Sequence, residues 1–210
     1  MEETKKKGLN TSSNSYTIIY SVVIVVVVAF LLAFVSSTLK PQQDENVALD
    51  KKKQILAALN IRDIDGAEAT EQYNKVVTAD KIIDRNGEEV EAGKQGGTEA
   101  GFLCNSTSTK EGKLALYVCN VDGETKYVIP VYGMGLWGGI SGYIALNADK
   151  QTVYGAYFNH EGETAGLGAE IKDSRKWQDQ FKGKHVFAVG KEGVALSVVK
   201  KNEVSDPTTQ

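Results

Sequence analysis

Residues that could hold a metal or cross-link the chain are scarce in this sequence. Its 210 residues include two cysteines and two histidines. The pair Cys104 and Cys119 can form one bridge in an exported domain, but one bridge does not make a disulfide scaffold. Their spacing, with 14 residues between them, fits no metal site. The composition therefore predicts a fold that needs no structural metal.

Signatures of hydrolytic enzymes and of nucleic-acid binding are also missing. The sequence contains no nucleophile elbow, no Ser-His-Asp order and no Walker lysine. The formal net charge is −3, and no basic patch is interleaved with aromatic residues. This charge balance argues against nucleic acid as a partner.

The longest stretch without charge marks a candidate membrane anchor. No charged side chain occurs between Lys7 and Lys40, and residues 16–39 are almost wholly apolar. As a helix this stretch spans about 36 Å at roughly 1.5 Å per residue, which exceeds the hydrocarbon core of about 30 Å. Lipid requires every backbone group to bond within the segment, so a helix forms although Val and Ile favour strands in water. We expect an N-terminal segment at 1–15, a transmembrane helix at 16–39 and a domain at 40–210.

A cleaved signal peptide is the alternative interpretation of this stretch. Lys5, Lys6 and Lys7 form a basic start, and residues 35–37 are small enough for cleavage. Signal peptides have apolar cores of about 7 to 15 residues, which favours an uncleaved anchor here. The lysines lie mainly before the helix, so the positive-inside rule places the N-terminus in the cytoplasm. We therefore expect a protein of the cell inner membrane with its C-terminal domain in the periplasm.

Hydrophobic periodicity after the anchor predicts an α+β domain. A helical period covers residues 46–60, and Thr70 is a candidate N-cap for a short helix that ends at Val77. Asp173 or Ser174 is expected to cap a later helix that Gly183 ends. Alternating residues predict a twisted, mainly antiparallel sheet with strands at 114–119, 127–132, 140–146, 152–158, 186–189 and 194–199.

A first glycine-rich segment, residues 133–138, matches the pattern G-x-G-x-x-G. The dinucleotide fingerprint requires a helix after this pattern, but residues 140–146 alternate like a strand, which excludes a Rossmann site. The segment instead predicts a turn that presents Leu136 and Trp137 at its tip. The alternative is an irregular hairpin with Trp137 in the core.

A second glycine-rich segment, residues 160–170, has too few apolar side chains to form a hydrophobic face. Backbone N–H groups around Thr164 can receive an anion or a ring carbonyl, so we interpret the segment as a ligand loop. Glu163 is alternatively the partner of a helix dipole, and Glu170 a solvated surface charge. His160 is either a proton relay or, without a visible acidic partner, a surface residue.

Together the two segments resemble the FMN-binding domain of NqrC, a component of the Na⁺-translocating NADH:quinone reductase. That family shows a G-x-G-L-W…I-x-G-Y block, here residues 133–143. It also shows an E-T-P-G-L-G-x-E block, here residues 163–170 with Ala165 in place of the proline. The lysine-flanked anchor and residues 49–56 look like this family too, so the resemblance covers nearly the whole chain. The RnfG component of the Rnf electron-transport complex shares the domain.

The resemblance implies an FMN site and no catalytic or metal-binding residue. Leu136 and Trp137 would pack near the flavin ring, where an apolar wall limits water. The other residues bordering the flavin would come from the second segment: Glu163, Thr164, Gly166, Leu167 and Gly168.

The family attaches FMN covalently through a threonine in an S-G-A-T-x-T type motif near the C-terminus. Residues 205–210 look like the approach to that motif, but Thr208 and Thr209 lack the preceding Ser-Gly-Ala. No attachment residue is therefore assigned in this sequence. We infer a truncated or fragmentary sequence and predict that its reading frame continues beyond Gln210.

By this resemblance the chain is a membrane-anchored FMN electron carrier of a sodium-translocating NADH:quinone oxidoreductase. It would relay electrons between neighbouring subunits of the complex, without oxidising NADH or binding quinone by itself. Two alternatives stay open. One is an RnfG-like component of an Rnf complex, and the other is a flavin-free assembly or binding subunit, because the attachment threonine is absent.

Overall fold

The structure is a computed structural model that describes residues 11, 13–188, 193–196 and 198. The chain divides into two compact units, Met1–Ala48 and Leu49–Gln210. The lysines at 5–7, on which the expected orientation rests, lie outside the described residues. So do residues 205–210, the expected approach to the FMN-attachment motif.

One helix, α1 (Asn14–Ala58), begins in the first unit and ends in the second. It is long and apolar enough to cross a membrane, and none of its most apolar window is buried. The helical segments predicted at 16–39 and 46–60 are parts of this one helix, which continues through Pro41. Pro41 has no backbone N–H, so α1 lacks one i to i−4 hydrogen bond at this position. The C-terminal end of α1 is held in place by the burial of Ile55 and Leu56.

Among the described residues of the second unit, six strands form one sheet in the order β2-β1-β3-β4-β5-β6, and all its neighbouring strands are antiparallel. The strands are β1 (Val77–Ile83), β2 (Glu89–Glu91), β3 (Leu114–Val121), β4 (Glu124–Met134), β5 (Gly139–Leu146) and β6 (Val153–His160). The shorter helices are α2 (Gly66–Val76), α3 (Ser106–Lys110), α4 (Glu170–Asp173) and α5 (Arg175–Gln178). The predicted α+β fold with a mainly antiparallel sheet is confirmed.

Local sequence explains the hairpin between β3 and β4. Asp122 and Gly123 both adopt positive φ, at 53° and 85°, as a two-residue turn that continues the strand twist requires. Buried residues alternate along β3, where Ala115, Tyr117 and Cys119 are buried. This period of two matches the predicted strand.

The sheet is covered on both faces, as two consecutive residues of β6 show. Gly155 lies against the end of α1, because a Cβ at this position would meet the Ala58 carbonyl oxygen at 2.4 Å. The next residue, Ala156, points to the opposite face. There it belongs to a core cluster with Phe181, against which Trp177 is packed.

The predicted cap of the second helix is wrong. The helix begins at Gly66, and the side chain of Asp65 accepts the N–H of Glu68 at 2.8 Å. A carboxylate just before the first turn satisfies an N–H that the helix cannot pair. Thr70 lies inside the helix, where its hydroxyl donates to the carbonyl of Gly66 at 3.2 Å. The helix ends at Val76, one residue before the predicted end.

The later cap is confirmed, since the Ser174 side chain accepts the N–H of Trp177. The two strands predicted at 186–189 and 194–199 are wrong for their described residues, and the rest of both ranges lies outside the described part of the chain. One hydrogen bond links them, from Ala195 N–H to the Val186 carbonyl at 2.8 Å. Beside them His185 forms a single bridge with Thr152. Three further backbone bonds of 2.8 to 2.9 Å join residues 183–186 to residues 151–153, but they give one bridge and no strand ladder among the described residues.

Candidate functional site

The turn between β4 and β5, residues 135–138, is held by its own backbone. Gly135 N–H donates to the Gly138 carbonyl at 2.8 Å, directly after the last strand pair of Met134 and Gly139. The side chain of Leu136 is 82% exposed and that of Trp137 is 68% exposed. The alternative that placed Trp137 in the core is therefore wrong.

The 160–170 segment follows β6 and folds back on itself. The Thr164 carbonyl accepts the N–H groups of Leu167 and Ala169, both at 3.1 Å. Gly166 adopts φ +73°, a conformation that side chains with a Cβ rarely reach. The compact turn leaves Leu167 exposed.

The sheet brings the two segments together. Because β5 and β6 pair with Ile140 opposite His160, the chain before β5 and the chain after β6 lie at the same end of the sheet. Glu163 Oε1 accepts the N–H of Trp137 at 3.0 Å. Glu161 Oε2 accepts the N–H of Gly139 at 3.1 Å.

The seven residues predicted to border a ligand fall into two groups. Five of them are exposed at the surface of the two segments: Leu136, Trp137, Thr164, Gly166 and Leu167. Glu163 and Gly168 are half-buried between the segments, and a Cβ on Gly168 would lie 2.5 Å from Glu163 Oε2. The carboxylate of Glu163 thus contacts protein atoms of both segments.

Sequence reasoning missed two residues of this surface. Met134 is 83% exposed at the end of β4, two residues before the exposed Leu136. Glu161 makes the second bond between the segments. The sequence did show two glutamates two residues apart, Glu161 and Glu163, at the end of a predicted strand. It could not show that they accept the N–H groups of Gly139 and Trp137, because these contacts depend on strand pairing.

His160 supports the segment through its ring. Its Nδ1 accepts the backbone N–H of Glu163 at 3.2 Å. Among the described residues, none accepts the N–H groups of Thr164, Ala165 or Gly166. Leu167 follows these donors in the chain, and Leu136 and Trp137 are exposed on the turn that Glu163 joins to the same segment. The arrangement fits a flat apolar ring that carries hydrogen-bond acceptors, such as a flavin.

The cysteines are separate from this surface. Cys104 and Cys119 are free and buried, so the described structure contains no bridge between them. Burial raises the pKa of the Cys119 thiol to about 12 and raises that of Cys104 as well. Both thiols therefore stay protonated and unreactive near neutral pH.

A cleft elsewhere in the second unit is an alternative location for a ligand. It has a volume of about 280 Å³ and is lined by α1, by β6 and by residues 61–64. Its Arg62 donates to the carbonyls of Ala57 and Ala156 and to Gln178 Oε1, at 3.2, 2.9 and 2.7 Å. Because its guanidinium is occupied by protein acceptors, Arg62 acts as a structural tie between elements of the second unit.

Known proteins match this chain over both its sequence and its fold. The FMN-binding domain family matches residues 135–208, which include the β4–β5 turn and the 160–170 segment. NqrC of the Na⁺-translocating NADH-quinone reductase from Haemophilus ducreyi is 33% identical over 185 residues, covering 80% of this chain and 70% of the relative. The NqrC of Pseudomonas aeruginosa is 29% identical over 197 residues, covering 85% of this chain and 75% of the relative.

Solved structures extend the match to three dimensions. The NqrC structure from Parabacteroides distasonis superposes with a TM-score of 0.71 at 37% identity, and the match covers 79% of each chain. The NqrC structure from Shewanella oneidensis shares the fold, with a TM-score of 0.59 at 22% identity over 75% of this chain and 79% of the other. The chain belongs to the NqrC family, whose members are subunits of the Na⁺-translocating NADH-quinone reductases.

Proposed function

We propose that this chain is a membrane-anchored electron carrier that binds FMN between the β4–β5 turn and the 160–170 segment. The observation that carries the proposal is the hydrogen bond from the Trp137 N–H to Glu163, which joins these segments. Leu136, Trp137 and Leu167 are exposed on the two segments, and among the described residues none accepts the N–H groups of residues 164–166. The FMN-binding domain match covers both segments. When bound, FMN supplies one- and two-electron redox chemistry.

The chain's own residues would bind and orient the flavin. Leu136, Trp137 and Leu167 form apolar walls that exclude water from a ring, and an aromatic wall such as Trp137 stacks on it. The N–H groups of Thr164 and Gly166 would donate to ring carbonyls. Electrons would then pass through the flavin to neighbouring subunits of a sodium-translocating NADH:quinone reductase, and the chain alone would have no turnover.

The anchor completes this proposal. Residues 16–39 would cross the inner membrane, with residues 1–15 in the cytoplasm and residues 40–210 in the periplasm. The exposed apolar side chains of α1 and the membrane complex named by the relatives support an anchor. Orientation is testable by fusing a reporter that matures only in the periplasm after residue 60. Activity of that fusion supports the proposed topology, and an inactive but expressed fusion contradicts it.

The binding test uses the full chain, produced in its own host with the other subunits and purified from membranes. We expect one FMN per chain, seen as the visible flavin absorption that co-purifies with the protein. A colourless chain in an intact complex would exclude the electron-carrier role and favour the flavin-free assembly subunit.

A pair of leucine variants locates the site. Leu167→Ala should reduce flavin content or affinity, because it removes an exposed apolar wall. Leu103→Ala is the matched control, since Leu103 is 67% exposed and Leu167 is 73% exposed. Equal flavin retention in both variants would place the flavin elsewhere.

The quinone-reductase assignment is favoured over the Rnf alternative by the names of the relatives, which are subunits of the Na⁺-translocating NADH-quinone reductase. Co-purification distinguishes the two. Recovery of the chain with quinone-reductase subunits supports the proposal, and recovery with iron–sulfur Rnf subunits contradicts it.

A further inference from the structure

The carboxylate of Glu163 lies between glycines of the two segments. A Cβ on Gly135 would be 2.2 Å from Glu163 Oε1, and one on Gly168 would be 2.5 Å from Oε2. Both distances are far below van der Waals contact, so any side chain at either glycine would displace the carboxylate. The same Oε1 accepts the N–H of Trp137 at 3.0 Å. Glu163 therefore occupies a space that two glycines leave for it.

A second carboxylate holds the other end of the turn. Glu161 Oε2 accepts the N–H of Gly139 at 3.1 Å, and the Glu161 N–H donates to the Gly139 carbonyl at 3.0 Å. A Cβ on Gly138 would lie 3.2 Å from the Cβ of Glu161. The turn is thus tied to the 160–170 segment at Trp137 itself and at Gly139, two residues later.

These ties matter because few other described contacts restrain Trp137, whose backbone also lies against Gly162, where an added Cβ would be 3.2 Å from the Trp137 carbonyl oxygen. Its side chain is 68% exposed, and the turn that carries it has one internal backbone bond, from Gly135 to Gly138. An aromatic side chain on such a turn samples several positions unless its backbone is restrained. Hydrogen bonds to a charged acceptor are the stronger kind and restrain it well.

We propose that Glu161 and Glu163 are positioning residues, which clasp the β4–β5 turn and so hold Trp137 as a fixed wall for the flavin ring. This inference rests on the proposed FMN site. It changes the expected role of Glu163, whose carboxylate contacts the turn and acts on the flavin through Trp137. Pre-ordering the wall reduces the entropy lost when the ring binds.

The test follows Trp137 directly. The chain contains two tryptophans, so Trp177→Phe in the full chain leaves Trp137 as the single fluorophore. In this background Glu163→Ala and Glu161→Ala should lower the fluorescence anisotropy of Trp137 and raise its quenching by acrylamide. Both variants should also weaken the binding of added FMN, measured by quenching of Trp137, by about tenfold. Glu71→Ala removes an exposed carboxylate on α2 and is the matched control.

Glu163→Gln separates positioning from charge. Its amide oxygen can still accept the Trp137 N–H, so anisotropy and FMN affinity should return to near the level of the Trp177→Phe parent. A Gln variant that keeps Trp137 ordered but loses FMN affinity as Ala does would overturn the proposal, because the charge itself would then act on the flavin. Unchanged Trp137 anisotropy in Glu163→Ala would also overturn it. Circular dichroism on each variant confirms that the fold is retained.

The two proposals fail differently. If the parent chain binds no FMN, the proposed function is contradicted, but the anisotropy of Trp137 still decides whether the carboxylates clasp the turn. If FMN binds equally to the parent and to Glu163→Ala, the function stands and the clasp is excluded.

Discussion

Gly155 of β6 and Ala58 at the end of α1 approach so closely that no side chain fits between them. A Cβ on Gly155 would meet the Ala58 carbonyl oxygen at 2.4 Å and the side chain of Asn60 at 2.9 Å. Asn60 itself donates through Nδ2 to the carbonyl of Tyr154 at 3.1 Å. The end of the long helix is therefore fitted to the backbone of β6, the last strand in the order of the sheet.

Gly155→Ala should destabilise the domain, because either α1 or β6 must move to accept the methyl group. We expect a loss of about 1–3 kcal/mol in the free energy of unfolding. Chemical denaturation of the full chain in detergent measures it. Gly133→Ala is the matched control, since a Cβ on Gly133 meets nothing within 4 Å. Equal stability of the two variants would mean that the close approach does not exist.

Gly168→Ala should disturb the candidate site while leaving the fold largely intact. The added Cβ would lie 2.5 Å from Glu163 Oε2, the end of a side chain, and 3.1 Å from Glu163 Cβ, so the carboxylate moves while the backbone gives by only a few tenths of an ångström. We expect more mobile Trp137 fluorescence and weaker FMN binding, with a melting temperature close to that of the parent. Gly133→Ala serves again as the control. A large drop in melting temperature with ordered Trp137 would contradict this prediction.

Asp80 organises the loop that follows β2. It is 1% exposed and accepts the N–H groups of Lys94, Ala100 and Phe102 at 3.1, 3.1 and 3.3 Å. Asp80→Asn replaces one acceptor oxygen by a donor and leaves buried N–H groups unpaired, at a cost of about 1–3 kcal/mol.

The effect is measured by denaturation, and hydrogen exchange should show faster exchange at the three amides. Asp122→Asn is the control, because Asp122 is exposed and asparagine tolerates its positive φ. A loss of stability as large in the control as in Asp80→Asn would refute the role of the buried carboxylate.

The partly buried ammonium of Lys51 should make the stability of the protein rise with pH in the alkaline range. Burial lowers the pKa of its ammonium from 10.5 to about 8, although its Nζ donates to the carbonyls of Phe102 and Cys104. Between pH 8 and 10.5 the folded protein releases this proton while the unfolded chain keeps it. The unfolded state then binds more protons, so the contribution of Lys51 to stability rises with pH across this window.

Lys51→Met removes this titration and supplies the measurement. As the pH rises from 8 to 10.5, the unfolding free energy of the parent should increase relative to that of the Met variant, by at most about 3 kcal/mol. A constant difference across the window would show that Lys51 is not desolvated.

Much of the fold is encoded in local pattern. The alternation at 114–119 and the Asp122-Gly123 pair predict the β3–β4 hairpin, and the structure has both. The alternation of apolar and polar residues did not predict β1 and β2, because in these strands burial does not follow the polarity of the side chains. In β1 one of the two buried positions is occupied by Asp80, whose carboxylate is acceptable only because a loop 14 to 22 residues away donates to it. In β2 all three residues are exposed, so no apolar signal exists.

For the site, the order of residues was enough to show which segments are rich in glycine, which side chains they carry and which family they resemble. It could not show that Trp137 is exposed or that its N–H meets a carboxylate 26 residues further along the chain, and both facts come from the folded arrangement. The physical reason is that turn and strand preferences act between near neighbours. The register that sets Ile140 opposite His160 is instead fixed by the summed ladder bonds and packing of the whole β5–β6 pair.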